Sequence, residues 1–221
     1  MTNKNIAVIF DFDNTLVKSH INFPAMKITM ARAVKKHGLD FGEEGDIPNR
    51  YTAGNIIDQV ETYDKKNKTQ LAAKLWAIVE KFERMGMENI SIEDDVLQML
   101  DYLKSKDIST SILTNNAKQP TIEVLERYNI FDYFDLVIAR EDVEKMKPHK
   151  EGLELIIQKL KLNPDKIIFV GDSWVDGVAA VNANIRFVLF REDLLDEKKY
   201  NIKIWKHIRT MKELVEIIDG H

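Results

Sequence analysis

Five short apolar runs rich in β-branched residues limit the fold more than any other feature. They are residues 6–10 ("IAVIF"), Ile108–Leu113, Leu136–Ala139, Ile167–Val170 and Ile185–Phe190. The first is continuous, as expected of a strand covered on both faces, and the others are similar runs. Helical periodicity lies between them, over Glu93–Ser105, Pro120–Tyr128, Pro148–Leu160 and Trp174–Ala183. A short strand near Trp205–Ile208 and a last helix over Met211–Asp219 complete the pattern. Strands alternating with helices predict βαβ units, hence an α/β fold with a parallel sheet.

The stretch from Phe23 to Gly86 breaks this alternation, with helical periodicity and no convincing strand. "FPAMKITMARAVKKHG" reads as a helix stopped by Gly38, "NRYTAGNIIDQVETYDKK" as a second, and "TQLAAKLWAIVEKFERMG" as a third with Thr69 as a possible cap. A helical insert therefore follows the first strand. Ligands of open α/β sheets bind beyond the carboxyl ends of the strands, and the insert leaves the sheet at that end, where a lid would belong.

The composition narrows the function classes. The chain is 44% apolar and 31% charged, which is globular rather than disordered. Its net charge of −4 argues against a general nucleic-acid binder. The absence of cysteine excludes disulfides, thiolate metal sites and a cysteine nucleophile. The opening "MTNKNIAVIFDFD" does not read as a signal peptide, and no run approaches the ~20 apolar residues of a membrane span. A cytoplasmic protein without a nucleic-acid or membrane partner is the expectation.

Polar residues follow the inferred strands in a consistent way. The first strand ends in Asp11 and Asp13, carboxylates that are costly to bury unless paired or bound to a metal. "DFDNT" alone reads equally well as an Asp-rich turn or a cap. A calcium loop fails, because position six is Leu16 where glycine is required and position twelve is Asn22 where glutamate is required. "SILTNN" puts the Thr114 hydroxyl and two amides at another strand end, suited to an anion or simply to a polar turn. Lys147 precedes Pro148, which suits a first helical turn. Lysine is a poor cap whose charge opposes the helix end, and a broken local rule points to function. "IIFVGDSWVDG" ends a strand at Asp172, with Asp176 four residues on and Asp172 or Ser173 as candidate helix cap. A parallel sheet gathers these ends at one edge. Three or four carboxylates there repel one another and call for a hard divalent cation, Mg²⁺ being the natural choice.

The set "DFDNT", "LTNN", "KP" and "GDSWVD", in that order, resembles the haloacid dehalogenase superfamily of hydrolases. It resembles the branch with a helical cap inserted after the first motif, phosphoglycolate phosphatase-like or β-phosphoglucomutase-like. The resemblance implies a Rossmann-like parallel-sheet core over 1–16 plus 90–221 and a small all-α cap over 17–89. It implies Asp11 as nucleophile and Mg²⁺ ligand. Asp13 would be the general acid/base, with its carbonyl on the metal. Thr114 and the Asn115 amide would hold phosphoryl oxygens, and Lys147 would neutralise Asp11 and the transferring group. Asp172 would bind Mg²⁺, with Ser173 and Asp176 supporting its water shell. Asn14 stands where the phosphoglycolate phosphatases usually carry glycine.

The implied activity is Mg²⁺-dependent hydrolysis of a small phosphorylated metabolite through an aspartyl-phosphate, by a monomer or small homo-oligomer. A phosphomutase using the same Asp11 is the enzymatic alternative. A non-catalytic partner-binding protein on the same scaffold is the alternative of another class.

Overall fold

A computed structural model describes residues 6–220. The first five residues, which the sequence reading assigns to the core, and His221 lie outside the described residues. The chain runs β1 (Ala7–Phe10), β2 (Val17–Lys18), α1 (Phe23–Lys35), α2 (Ile47–Arg50), α3 (Ala53–Asn67) and α4 (Leu71–Met87). It continues through β3 (Ser91–Ile92), α5 (Val96–Ser105), β4 (Ser109–Leu113), α6 (Lys118–Arg127) and β5 (Leu136–Ile138). It ends α7 (Glu151–Leu160), β6 (Ile167–Gly171), α8 (Trp174–Ala183), β7 (Arg186–Phe190), α9 (Glu197–Tyr200), β8 (Ile204–Ile208) and α10 (Met211–Asp219). Two compact units result: residues up to Lys18 together with those from Ser91 on, and Ser19–Ile90.

The first unit is built on a six-stranded sheet of order β5-β4-β1-β6-β7-β8 with every pairing parallel. Each expected strand is present; apolar runs such as β1 and β6 fit a sheet covered on both sides, and β4 buries Thr110 and Ser111 beside Ile112 and Leu113. Ile9, Leu113, Phe169 and Phe187 belong to one buried cluster with Leu153 and Ile156 of α7 and Ala179 and Ala180 of α8. Val8, Phe10, Val170 and Val188 alternate with them and face the other way, also fully buried. The chain builds β1, β4 and β5 outward on one side, then crosses to β6, β7 and β8 on the other. The order reverses at β1, the position at which doubly wound sheets open a crevice. A two-residue antiparallel ribbon, β2 with β3, pairs Val17 with Ile92 and Lys18 with Ser91. Lys18 Nζ lies 3.0 Å from Asp94 Oδ2 beside it.

The second unit holds α1–α4 around a core of Met26, Met30, Ile47, Ile56, Val60, Leu75 and Val79. The single helix expected over 49–66 is two helices. Thr52 is extended, its Oγ1 accepts the Asn55 N–H at 3.0 Å, and Asn55 Oδ1 accepts the Thr52 N–H at 3.3 Å. That reciprocal capping box starts α3 afresh at Ala53. Thr69 does not cap α4. The Asp64 carboxylate takes the Leu71 and Ala72 N–H groups at 3.0 and 2.8 Å, and the Thr69 hydroxyl donates to it as well. An ionised carboxylate is the stronger acceptor for a helix start, so it displaces the hydroxyl. Gly38 follows α1 in the left-handed region at φ +83°, as a helix-terminating glycine does.

Candidate active site

The registers of the central strands align their carboxyl ends. Phe10 of β1 pairs with Ile112 of β4 and with Val170 of β6. The residues that follow, Asp11, Thr114 and Asp172, therefore leave the sheet side by side. Asp11 stays on the ladder, its N–H donating to Val170 O at 2.8 Å. The chain then turns: Leu16 and Val17 N–H both reach Phe12 O, and Asn14 sits at φ +53°. Asparagine tolerates that left-handed position, which accounts for Asn14 where glycine is usual. Asp13, 7% exposed, accepts a hydrogen bond on Oδ2 from Asn116 Nδ2.

Lys147 lies in the irregular segment before α7. The helix begins at Glu151 rather than at Pro148, so the lysine is not a cap residue, and the Lys147–Pro148 peptide is cis. The Glu151 carboxylate accepts the Glu144 and Lys145 N–H groups at 2.7 and 3.1 Å, which holds the segment as a loop. The Lys147 side chain is buried; its Nζ lies 2.5 Å from Asp11 Oδ1 and 2.7 Å from Asp176 Oδ1. Asp176, fully buried in the first turn of α8, accepts the Ser173 N–H at 3.1 Å and the Ser173 hydroxyl at 2.6 Å on Oδ2. Gly171 makes room for it: a Cβ there would lie 2.6 Å from Asp176 Cβ and Cγ.

One carboxylate oxygen from each of Asp11, Asp172 and Asp176 lies within 4.8 Å of the others. Burial, the neighbouring Asp176 charge and Asp13 push Asp11 up to about 7, against the pull of Lys147. Burial and the charges of Asp176 and Asp11 likewise hold Asp172 well above the usual carboxylate range. Burial pulls Lys147 down, but Asp11 and Asp176 more than offset it, so the ammonium stays charged. Three carboxylates and one ammonium meet here, and the raised Asp11 and Asp172 show that the lysine alone does not offset three ionised carboxylates. That uncompensated negative charge and an all-oxygen donor set fit a divalent cation of the Mg²⁺ kind. Asp176 already accepts bonds on both oxygens, which leaves Asp11 and Asp172 as the carboxylates better placed to ligate.

The eight residues singled out in the sequence thus gather at one sheet edge. Thr114 N–H donates to Ile138 O at 3.0 Å, and its Oγ1 accepts the Asn116 N–H at 3.1 Å. The Asn115 side chain is spent on the main chain of Lys147, at 2.9 and 3.0 Å. Two residues escaped the sequence reading. Asn116 bonds Asp13, and its place in the quoted "TNN" was the available signal. Arg191 follows β7 just as Asp172 follows β6, and its Nη1 donates to Asp172 O at 3.2 Å. A polar residue ending an apolar run was the signal there too.

A parallel sheet with buried carboxylates and a lysine at its carboxyl edge defines an α/β enzyme class, and comparison with known proteins gives the family. The model of the haloacid dehalogenase-like hydrolases matches residues 8–190, and the chain belongs to that family of hydrolases. A protein of Caldanaerobacter subterraneus subsp. tengcongensis, provisionally named pyrophosphatase PpaX, is 28% identical over 219 residues, 98% of this chain and 96% of its own length. A phosphoglycolate phosphatase of Nitrosococcus oceani is 26% identical over 190 residues, 82% of this chain and 81% of its own. A solved structure from Bacteroides fragilis, provisionally called a haloacid dehalogenase-like hydrolase, shares the fold. Its TM-score is 0.67 at 24% identity, over 96% of this chain and 100% of that one.

Proposed function

We propose that this protein is a Mg²⁺-dependent phosphatase acting on a small phosphorylated metabolite, with Asp11 as nucleophile. The reading rests above all on Lys147 Nζ, buried between Asp11 and Asp176 beside Asp172. Relatives named for pyrophosphate and phosphoglycolate hydrolysis support it.

Asp11 attacks the phosphorus of the ester, forming a P–O bond to its carboxylate as the bond to the leaving oxygen breaks. Asp13 gives its proton to that leaving oxygen. It then takes one from the water that attacks the aspartyl-phosphate, which releases inorganic phosphate and restores Asp11. Lys147 fixes the Asp11 carboxylate and offsets negative charge on the transferring group, and Thr114 and the Asn115 main-chain N–H hold phosphoryl oxygens. Asn116 orients Asp13. Asp11 and Asp172, with the Asp13 carbonyl, would hold the cation, and Ser173 and Asp176 would support its water shell. Bound Mg²⁺ supplies positive charge against the carboxylates and the phosphoryl oxygens. The all-helical unit between β2 and β3 is read as the cap, the part that selects the substrate.

Incubation with Mg²⁺ and a panel of sugar phosphates, phosphoglycolate, nucleotides and pyrophosphate tests the assignment by release of inorganic phosphate. No release across the panel removes it in favour of a binding role. Isomerisation of a hexose phosphate without net release makes the protein a mutase.

A further inference from the structure

We propose that Asn115 is the positioning residue for Lys147, acting through its side chain on the lysine's main chain rather than on a phosphoryl group. The proposal builds on the reading of Lys147 as part of the catalytic machinery. Lys147 lies between the 3₁₀ turn Arg140–Asp142 and α7, where no strand or helix ladder fixes its backbone. Glu144, Lys145 and His149 around it are exposed. Yet its ammonium must arrive within 2.5 and 2.7 Å of two carboxylates. A displacement of its backbone is passed along the side chain to that contact.

The Asn115 side chain supplies what the missing ladder does not. The Lys147 N–H donates to Asn115 Oδ1 at 3.0 Å, and Asn115 Nδ2 donates to Lys147 O at 2.9 Å. One primary amide thus satisfies both main-chain groups of the residue, as a neighbouring strand would. A carboxylate of the same size only accepts, and a hydroxyl must do both through one atom. Asn115 is itself fixed from both sides. Thr114 N–H is bound to Ile138 O at 3.0 Å, Asn116 N–H to Thr114 Oγ1 at 3.1 Å, and Asn116 O takes the Arg140 N–H at 3.1 Å. The position of the sheet edge is therefore carried through Asn115 to Lys147. The other anchors of the loop, Glu151 on residues 144 and 145 and Asn182 on Pro148 O at 3.2 Å, do not touch Lys147. Holding Lys147 uses Asn115 Oδ1 and one of the two Nδ2 hydrogens, so the amide is oriented by the lysine's main chain, and the Asn115 main-chain N–H remains for a phosphoryl oxygen.

The test combines kinetics with lysine acetylation. Asn115→Ala, assayed with p-nitrophenyl phosphate and Mg²⁺, is expected to lose about 10²-fold in kcat with a smaller change in KM, the cost of misplacing a reacting group by about 1 Å. On a Lys147→Met background the same change should add less than about twofold, because the two residues act as one unit. In brief acetylation read by peptide mass spectrometry, Lys147 should be protected in the wild type and react faster in the variant, with exposed Lys166 unchanged. Asn115→Asp keeps the size and one of the two bonds, and should shift kcat and labelling in the same direction; it carries the test should Asn115→Ala not fold. Losses that add in full to Lys147→Met, or unchanged Lys147 labelling in folded variants, would overturn the proposal. Should the wild type release no phosphate from any ester, the proposed function falls, and acetylation alone decides the clamp.

Discussion

One added methyl group at Gly171 probes how tightly the acidic cluster is built. A Cβ there would stand 2.6 Å from Asp176 Cβ and Cγ and 2.7 Å from Oδ2, whereas ordinary contact begins at 3.4 Å. Asp176 or the strand end must give by about 0.8 Å, the difference of those two distances. A shift of that size in Asp176 changes the 2.7 Å Lys147–Asp176 contact by at most about 0.8 Å, and at the upper end breaks a strong charge-assisted hydrogen bond. It also moves a carboxylate of the cluster relative to Asp11 and Asp172. Two terms of opposite sign compete in stability. Gly→Ala ordinarily stabilises by ~0.4–1 kcal/mol through the unfolded chain, while overpacking costs ~1–3 kcal/mol. Overpacking wins, so Gly171→Ala should lower the melting temperature, with a net loss of about 1–2 kcal/mol in denaturant titration. Activity should fall further than stability, by about 10²-fold in kcat on p-nitrophenyl phosphate, since misplacement near 1 Å is costly at a reacting centre. Gly45, whose added Cβ meets nothing within 4 Å, is the control, and Gly45→Ala should leave both readings near wild type. A Gly171→Ala protein with wild-type kcat and melting temperature would refute the close packing of Asp176 as a requirement of the site.

Three further predictions follow from the same geometry. Asp11→Asn should lose about 10⁴-fold or more of turnover while remaining folded, as circular dichroism and a thermal melt would show; near-normal rates would exclude Asp11 as nucleophile. EDTA should silence phosphate release and Mg²⁺ restore it. Mg²⁺ at 100 times its dissociation constant should also stabilise the fold by ~2.7 kcal/mol, a shift that Asp172→Asn should largely remove. Thr52→Ala removes half of the capping box at α3 and should cost about 1 kcal/mol in denaturant titration; an unchanged midpoint would show that the box contributes nothing there.

What the sequence reveals and what it hides separate along physical lines. Strands β1, β5, β6 and β7 are legible because burial on both faces demands runs dominated by apolar residues, whereas β4, with Ser109, Thr110 and Ser111 ahead of Ile112 and Leu113, is legible mainly by its place between two helical stretches. The residues just beyond them are legible for a related reason. Asp11, Thr114 and Asp172 interrupt those runs at the sheet edge, and adjacency in the sheet does the rest. Helix starts were harder, because local preference competes with side chains from elsewhere. Thr69 had the right chemistry for a cap and lost to Asp64, seven residues before the first N–H it receives. Pro148 suited a first helical turn, but Glu151 ties residues 144 and 145 and keeps the segment a loop.

The bonds that fix the side chains of the candidate site are hidden altogether. Asn115 meets Lys147 across 32 positions and Asn116 meets Asp13 across 103. Neither meeting has a local pattern, since each follows from the register of β1 and β4 and the path of one loop. In "TNN" the letters name two amides without saying which groups they hold. One of them completes the backbone of a residue that has no strand beside it, and the other holds a carboxylate from the neighbouring strand's end. Residue types that carry charge at a strand end therefore announce a site, whereas the neutral amides that aim those charges become readable only once the sheet is assembled.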